Sequence, residues 1–306
     1  MLSLQAPSAV VMIRPHAFAS NPETRDDNAF QTLANRSAEA TSAAARDEHD
    51  RAVEQLCEAG VTVHVFDDHG ERDTPDSVFP NNWFSTHPGG HVAIYPMFVP
   101  SRRRERRADV IEMLKQDYRV QDVIDYSGLE QDDLALEGTG AMVLDHVGRI
   151  AYTVKSHRAD PVLLERFCTH FNYEPIAFEA RDAQGRDVYH TNVLMGIGTQ
   201  YAMICLDMIT EPERRDTVRT RLEETGRTVI DLSYDQIAEF AGNAIELTGR
   251  DGLVLALSSR ALAALTPEQI AIIEASATPL PLSVPTIETA GGSVRCMIAG
   301  IHLARR

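Results

Sequence analysis

Apolar and polar positions along the chain fall into a unit that recurs four times. Each copy reads as a short strand, a turn, a second apolar strand, an amphipathic helix and a third strand. One copy runs DSVFPNNWFSTH, HVAIYPMF, a helix near ERRADVIEMLKQD, then RVQDVIDY. The next runs LEGTGAMVLD, RIAYTV, a helix over DPVLLERFCTHF, then EPIAFEA. A third runs VYHTNVLMGIG, QYAMICLD, a helix over EPERRDTVRTRLEETG, then TVIDLS. The last runs GNAIELTG, LVLALS, a helix over TPEQIAIIEAS, then TPLPLSV. The turn signals HPGG, DHVG, GIGTQ and TGRDG separate the paired strands. Three helices start at Asp160-Pro161, Glu211-Pro212 and Thr266-Pro267, a cap residue followed by a proline that needs no N–H donor.

The ends of the chain hold the remaining pieces. VVMIRP, a helix over roughly residues 42–59 and VTVHVF lie at the N-terminus. GGSVRCMIAGIHL, read as strand with no helix after it, lies at the C-terminus. Together they make a fifth unit. The prediction is an α/β fold, a five-bladed α/β propeller of five ββαβ units around a central channel, with one unit split across the termini. Closure of such a ring removes exposed sheet edges. Residues 1–306 are read as one catalytic domain.

This register singles out five residues. Asp76, Glu137, His190, Asn243 and Cys296 stand near the start of the first strand of successive units, spaced 61, 53, 53 and 53 residues apart. Units related by rotation would bring two acids, a histidine, an amide and a thiol to one level of the channel.

Composition narrows the function. The chain has 306 residues, with 29 Lys and Arg against 45 Asp and Glu, for a formal charge of −16. Such a surface repels nucleic acid and anionic membrane, and it admits a small cationic or zwitterionic ligand. No stretch approaches a membrane span, and the N-terminus lacks the basic region of a signal peptide. The expectation is therefore a cytoplasmic protein. SRRRERR (101–107) is the one basic cluster, and it reads as a solvated helix face.

Four cysteines are present and none is paired at CxxC spacing. Cys57 and Cys168 lie in helical patterns and Cys205 in an apolar strand, so all three read as small buried hydrophobes. Cys296 differs by its register. With no HExxH motif and no Cys-pair spacing, neither a metal nor another cofactor is expected.

The chemistry suited to this set is hydrolysis of a planar C–N carbon. Resonance over three heteroatoms makes a guanidino or ureido carbon a poor electrophile, so a thiolate is needed to attack it. His190 can take the thiol proton, pass it to the departing amine and later activate water. Glu137 is placed to orient that imidazole, and Asp76 to hold substrate.

The motifs DSVFPNNWF (76–84), LEGTG (136–140), KSHR (155–158), HTN (190–192) and GGSVRC (291–296) resemble those of the amidine-modifying enzymes. That group includes arginine deiminase, dimethylarginine hydrolase, succinylarginine dihydrolase and the amidinotransferases. The resemblance covers nearly the whole chain and is nearest to the citrulline utilisation hydrolases. It implies the pentein fold and a catalytic triad of Cys296, His190 and Glu137. It also implies that Arg158 holds a substrate carboxylate, with Arg14 as a weaker choice.

Guanidinium-binding members resemble D-S-x-F-x-x-D and H-x-D at two of these motifs, where this chain has Asn82 and Asn192. Two lost carboxylates remove a charge-assisted clamp for a cation. An amide, with one donor and one acceptor face, matches a neutral ureido group. LEGTG also lacks the last acid of EGGD, which leaves Gly140 without a clamping role.

The expected function is cleavage of citrulline to ornithine, CO2 and ammonia. Alternatives are an arginine or methylarginine hydrolase, an amidinotransferase, or a ribosome anti-association factor of the same fold. The last should lack an arranged Cys–His–Glu set. The expected partner is a small-molecule amino acid, with a homodimer as the one further assembly considered.

Overall fold

The computed structural model describes residues 4–26, 28–32 and 36–306. Residues 1–3, at the head of the stretch read as lacking a signal peptide, lie outside them. Five three-stranded sheets are present, all with the same internal order. In the second unit Phe84–His87 pairs antiparallel with His91–Ile94, which pairs parallel with Asp122–Asp125. The third unit repeats this with Met142–Asp145, Ile150–Val154 and Glu174–Phe178. The fourth uses Met195–Ile197, Tyr201–Ile204 and Thr228–Asp231. The fifth uses Ile245–Thr248, Leu253–Ser258 and Ala277–Leu282.

The first unit is assembled from both ends of the chain. Ala9–Pro15 pairs antiparallel with Ala299–Gly300 and parallel with Thr62–Asp68. Parallel pairing needs a crossover, and in each unit a helix supplies it. These helices are Ala38–Glu58, Ala108–Asp117, Pro161–Phe171, Pro212–Glu224 and Pro267–Glu274. The predicted caps hold at two of the three Pro-led starts. Asp160 accepts from the N–H of Val162 and Leu163, and Thr266 forms a capping box with Gln269. Glu211 makes no side-chain cap.

First strands face inward. Phe84–His87, Met142–Asp145 and Met195–Ile197 are buried throughout. First strands of neighbouring units pack on one another in the first and second, third and fourth, and fourth and fifth units. The apolar core fills the spaces between blades and beneath the helices. One part joins Ile13, Trp83, Phe84 and Leu114, and another joins Val10, Leu56, Leu247 and Leu282.

Three expectations need correction. GGSVRCMIAG is not continuous strand: Val294–Met297 forms a single helical turn, and the strand is only Ala299–Gly300. A turn of four residues is too short to show a period that would distinguish it from strand. Three short helices, Pro100–Arg103, Tyr234–Ala238 and Ser259–Ala264, escaped for the same reason. Cys57 is exposed, unlike Cys168 and Cys205. The helix buries Ala45, His49, Ala52 and Leu56, and the next residue is turned about 100° away from Leu56. Among the described residues no helix is long and apolar enough to cross a membrane.

Candidate active site

The residues of interest lie in the turns that precede the first strands, not in the strands. Glu137 caps the turn Gly138–Ala141 and His190 caps the turn Thr191–Val193. These two are equivalent, each five residues before its strand. The one-level register slips elsewhere. In the second unit Phe79 takes that position, capping Pro80–Asn82, and Asp76 lies three residues further back. Asn243 and Cys296 sit closer to their strands. Side chains of different length therefore reach a common cavity from turns of different shape.

Glu137 is fully buried and both of its oxygens are used. Oε2 accepts from Nε2 of His190 at 2.8 Å, and Oε1 accepts from the Phe98 N–H at 3.0 Å. Arg102 and Arg158 each approach Oε2 at 3.6 Å. Burial alone would raise the Glu137 carboxyl, but Arg158, His190 and Arg102 outweigh it and hold it well below the usual carboxylate range. An ionised Glu137 fixes the proton of neutral His190 on Nε2 and leaves Nδ1 as the basic nitrogen. Burial lowers His190 below the usual histidine value, against the pull of Glu137.

The Cys296 side chain meets two amides. Nδ2 of Asn192 donates to Sγ at 3.2 Å and Nδ2 of Asn243 at 3.3 Å. Among the described residues the Asn192 oxygen is buried and has no partner. Such a group is costly unless something arrives to satisfy it. Oδ1 of Asp76 is likewise buried and unpartnered, while Oδ2 accepts from Asn21 at 2.9 Å. Burial raises the Asp76 carboxyl, opposed by Arg102 and Asn21.

The basic run does not form a solvated face. Arg102 is only 2% exposed and forks onto Glu105 through Nε at 2.9 Å and Nη2 at 3.0 Å. Burial pushes Glu105 up to about 7 against the pull of Arg102, whose own value rises because Glu105, Asp76 and Glu137 overcome its burial. The two-point contact favours the ionised pair. With its oxygen turned to Arg102, the Asn82 amide accepts from Nη1 at 2.8 Å and Nη2 at 2.9 Å. Its NH2 then faces Gly140. A side chain at Gly140 would stand 2.1 Å from that amide and 2.9 Å from Nδ1 of His190. The glycine that lacks an acid thus makes room for both.

Asp76, Asn82, Arg158, His190 and Cys296 all line one cavity of about 20 Å³, together with Arg102. That volume holds about one water. Asn28 closes one side, donating to the Ala290 carbonyl at 3.0 Å. Larger cavities of about 600 and 420 Å³ are lined by surface loops, and the first shares Asn28 and Tyr189 with the small one. Arg158 stacks over the Tyr189 ring at 4.8 Å. Arg14 is elsewhere, held by Asp50 on the outer side of the first unit. Among the described residues no group of three His, Cys, Asp or Glu is placed to hold a metal.

The structure brings Asp76, Asn82, Glu137, Arg158, His190, Asn192 and Cys296 together and leaves Arg14 apart. Sequence reasoning missed Arg102 and gave Asn243 no role. The signal for Arg102 was the one acid in the run, Glu105, at helical spacing from it.

Residues 14–303 match the family described as N,N dimethylarginine dimethylhydrolase, eukaryotic. The chain belongs to that family. It is a member of the pentein amidine-modifying superfamily. No curated protein matches the sequence. Among solved structures, the apo arginine dihydrolase ArgZ of cyanobacteria superimposes with a TM-score of 0.71 at 15% identity, over 95% of this chain and 40% of that one. The present chain thus spans about two fifths of ArgZ. The ArgZ N-terminal domain, a cysteine-to-serine variant bound to substrate, gives 0.71 at 15% identity over 96% and 99% of the two chains. DDAH from Pseudomonas aeruginosa, in complex with citrulline, gives 0.62 at 14% identity over 98% and 100%. At these identities the likeness is one of fold.

Proposed function

We propose that the protein hydrolyses the C–N bond of a ureido amino acid through a covalent intermediate on Cys296, with citrulline as the substrate. The observation that carries this is the pair Asn82 and Asn192. Neutral amides stand beside His190 and Cys296 where a cation clamp would place carboxylates. The Asn192 oxygen is positioned to accept a ureido N–H. Arg158 offers a guanidinium group for the α-carboxylate, the open oxygen of Asp76 suits the α-ammonium, and citrulline is admitted once Asn28 and Tyr189 part to join this cavity to the larger one that they also line.

His190 takes the Cys296 proton on Nδ1, and the thiolate adds to the ureido carbon. The carbon–nitrogen bond to the side-chain amine breaks, and His190 returns the proton to that amine, releasing ornithine. His190 then removes a proton from water, whose oxygen displaces the sulfur. Carbamate leaves and falls to CO2 and ammonia. Glu137 keeps the imidazole in one tautomer throughout. The second half-reaction restores the thiol, so the cycle balances with one water consumed.

A second reading is an arginine dihydrolase, in which the same site first removes ammonia from arginine. The buried acid Asp76 favours it, since a cationic substrate could be balanced there. ArgZ is named as an arginine dihydrolase and its substrate complex shares this fold. An ammonia-release screen over citrulline, arginine, methylated arginines, succinylarginine and agmatine separates the two. One ammonia per ornithine from citrulline, with arginine inert, supports the first reading. Two per ornithine from arginine supports the second. Cys296→Ala should cut either turnover by at least about a thousandfold with the fold intact; activity close to wild type would sink the mechanism.

A further inference from the structure

The sulfur of Cys296 has a polar environment that the triad does not describe. Among the described residues no hydrogen bond links His190 to Cys296, yet two side-chain amides donate to the sulfur. Asn243 is the better anchored of the two. Its Oδ1 accepts from the Arg295 N–H at 3.0 Å. Its Nδ2 donates to the Asn192 carbonyl at 3.1 Å and to Cys296 Sγ at 3.3 Å. The backbone donor on one side and the backbone acceptor on the other fix which end of the amide faces the sulfur. Asn192 adds a second N–H at 3.2 Å from the neighbouring unit.

An N–H donor binds a thiolate more strongly than a thiol, because the contact becomes charge-assisted. A donor pair already pointing at the sulfur needs no reorganisation when charge appears there. Arg295 is consistent with this. Burial pushes its guanidinium down to about 10, opposed by the neighbouring Cys296 side chain. A neutral ureido substrate brings no cation of its own to offset the thiolate. The protein must supply that stabilisation.

We propose that Asn243 is a catalytic residue: together with Asn192 it stabilises the Cys296 thiolate as His190 removes the proton. The proposal rests on the reading of Cys296 as the nucleophile. It explains why amides flank the sulfur, since carboxylates in their place would repel the developing charge.

The test is the rate at which iodoacetamide alkylates Cys296 at neutral pH without substrate, followed by mass spectrometry of each cysteine peptide. Asn243→Asp keeps an oxygen to accept the Arg295 N–H but removes the donor to sulfur. Asn243→Ala removes both. Both variants should alkylate at Cys296 at least about tenfold more slowly than wild type. If Asn243 merely positions the turn, Asn243→Asp reacts like wild type and only Asn243→Ala slows, and the proposal falls. Equal rates in all three forms also overturn it. Exposed Cys57 and buried Cys168 and Cys205 report folding in the same sample; a folded variant protects the last two. If the buried carboxylate prevents folding, Asn243→Leu, which keeps the volume without the donor, replaces it and should show the same slowing. The readout needs no substrate, so a failure of citrulline hydrolysis leaves this result standing on its own.

Discussion

Glu137 and His190 are joined by a 2.8 Å hydrogen bond in a fully buried setting, and the same carboxylate also receives the Phe98 N–H. The imidazole is therefore held from behind by a group that two arginines keep ionised. It can rotate little, and Nδ1 is the nitrogen left for chemistry.

That bond sets a pH dependence. Burial lowers His190 from its ordinary 6.5, and Glu137 pulls it back up. On the proposed mechanism the neutral imidazole is the working base, so activity is lost as pH falls through the His190 value. The acid limb of kcat/KM should then lie below pH 6.5. Glu137→Gln removes the pull that raises His190, so the limb should move to still lower pH while the plateau falls. A limb that moves upward in this variant would contradict the assignment. pH–rate profiles of the two enzymes measure it.

Arg102 and Arg104 are near neighbours in one basic run but differ in setting. Arg102 is buried on Glu105, and Arg104 is exposed beside Asp73. Arg102→Met should cost about 3–5 kcal/mol, because it strands Glu105 in the interior. Arg104→Ala should stay within about 0.5 kcal/mol. Urea unfolding of the two variants gives both numbers.

Gly140 lies against Asn82 and His190. In Gly140→Ala the new methyl must displace the Asn82 amide or the His190 ring. A misplacement of that size should lower kcat/KM by about a hundredfold. Steady-state kinetics with a melting curve in parallel would separate this from a loss of fold.

The Asn192 side chain tests the choice between ureido and guanidino substrates. Asn192→Asp puts a carboxylate at the open acceptor and removes a donor from the sulfur. Citrulline turnover should fall, and the ratio of arginine to citrulline kcat/KM should rise by about tenfold or more. An unchanged ratio would remove the asparagine argument for citrulline.

The repeat was readable because each strand, turn and helix leaves its own period in the sequence. The five crossover helices and the split unit follow from it directly. Glu137 and His190 share a register because their turns have the same shape. Asp76, Asn243 and Cys296 could not be placed to the residue, since a turn of a few residues carries no period. Arg102 was hidden for a different reason. An arginine among arginines looks solvated until the chain folds, and what buries it is Glu105 on its own turn together with Asp76 and Glu137 from distant ones. The direction of the Asn243 amide is likewise a three-dimensional fact, set by backbone groups of neighbouring blades.

The pairing of Ala299–Gly300 with Ala9–Pro15 has a consequence for how the molecule comes into being. Cys296 lies three residues before this junction, almost at the far end of the chain from its partner strand. Loop closure across such a span is slow to nucleate. During synthesis Glu137, His190 and Asn243 emerge before the thiol does, and the strand awaiting it is already made. A nascent or half-opened ring therefore lacks the two amide contacts to the Cys296 sulfur, which form only once the last blade has shut.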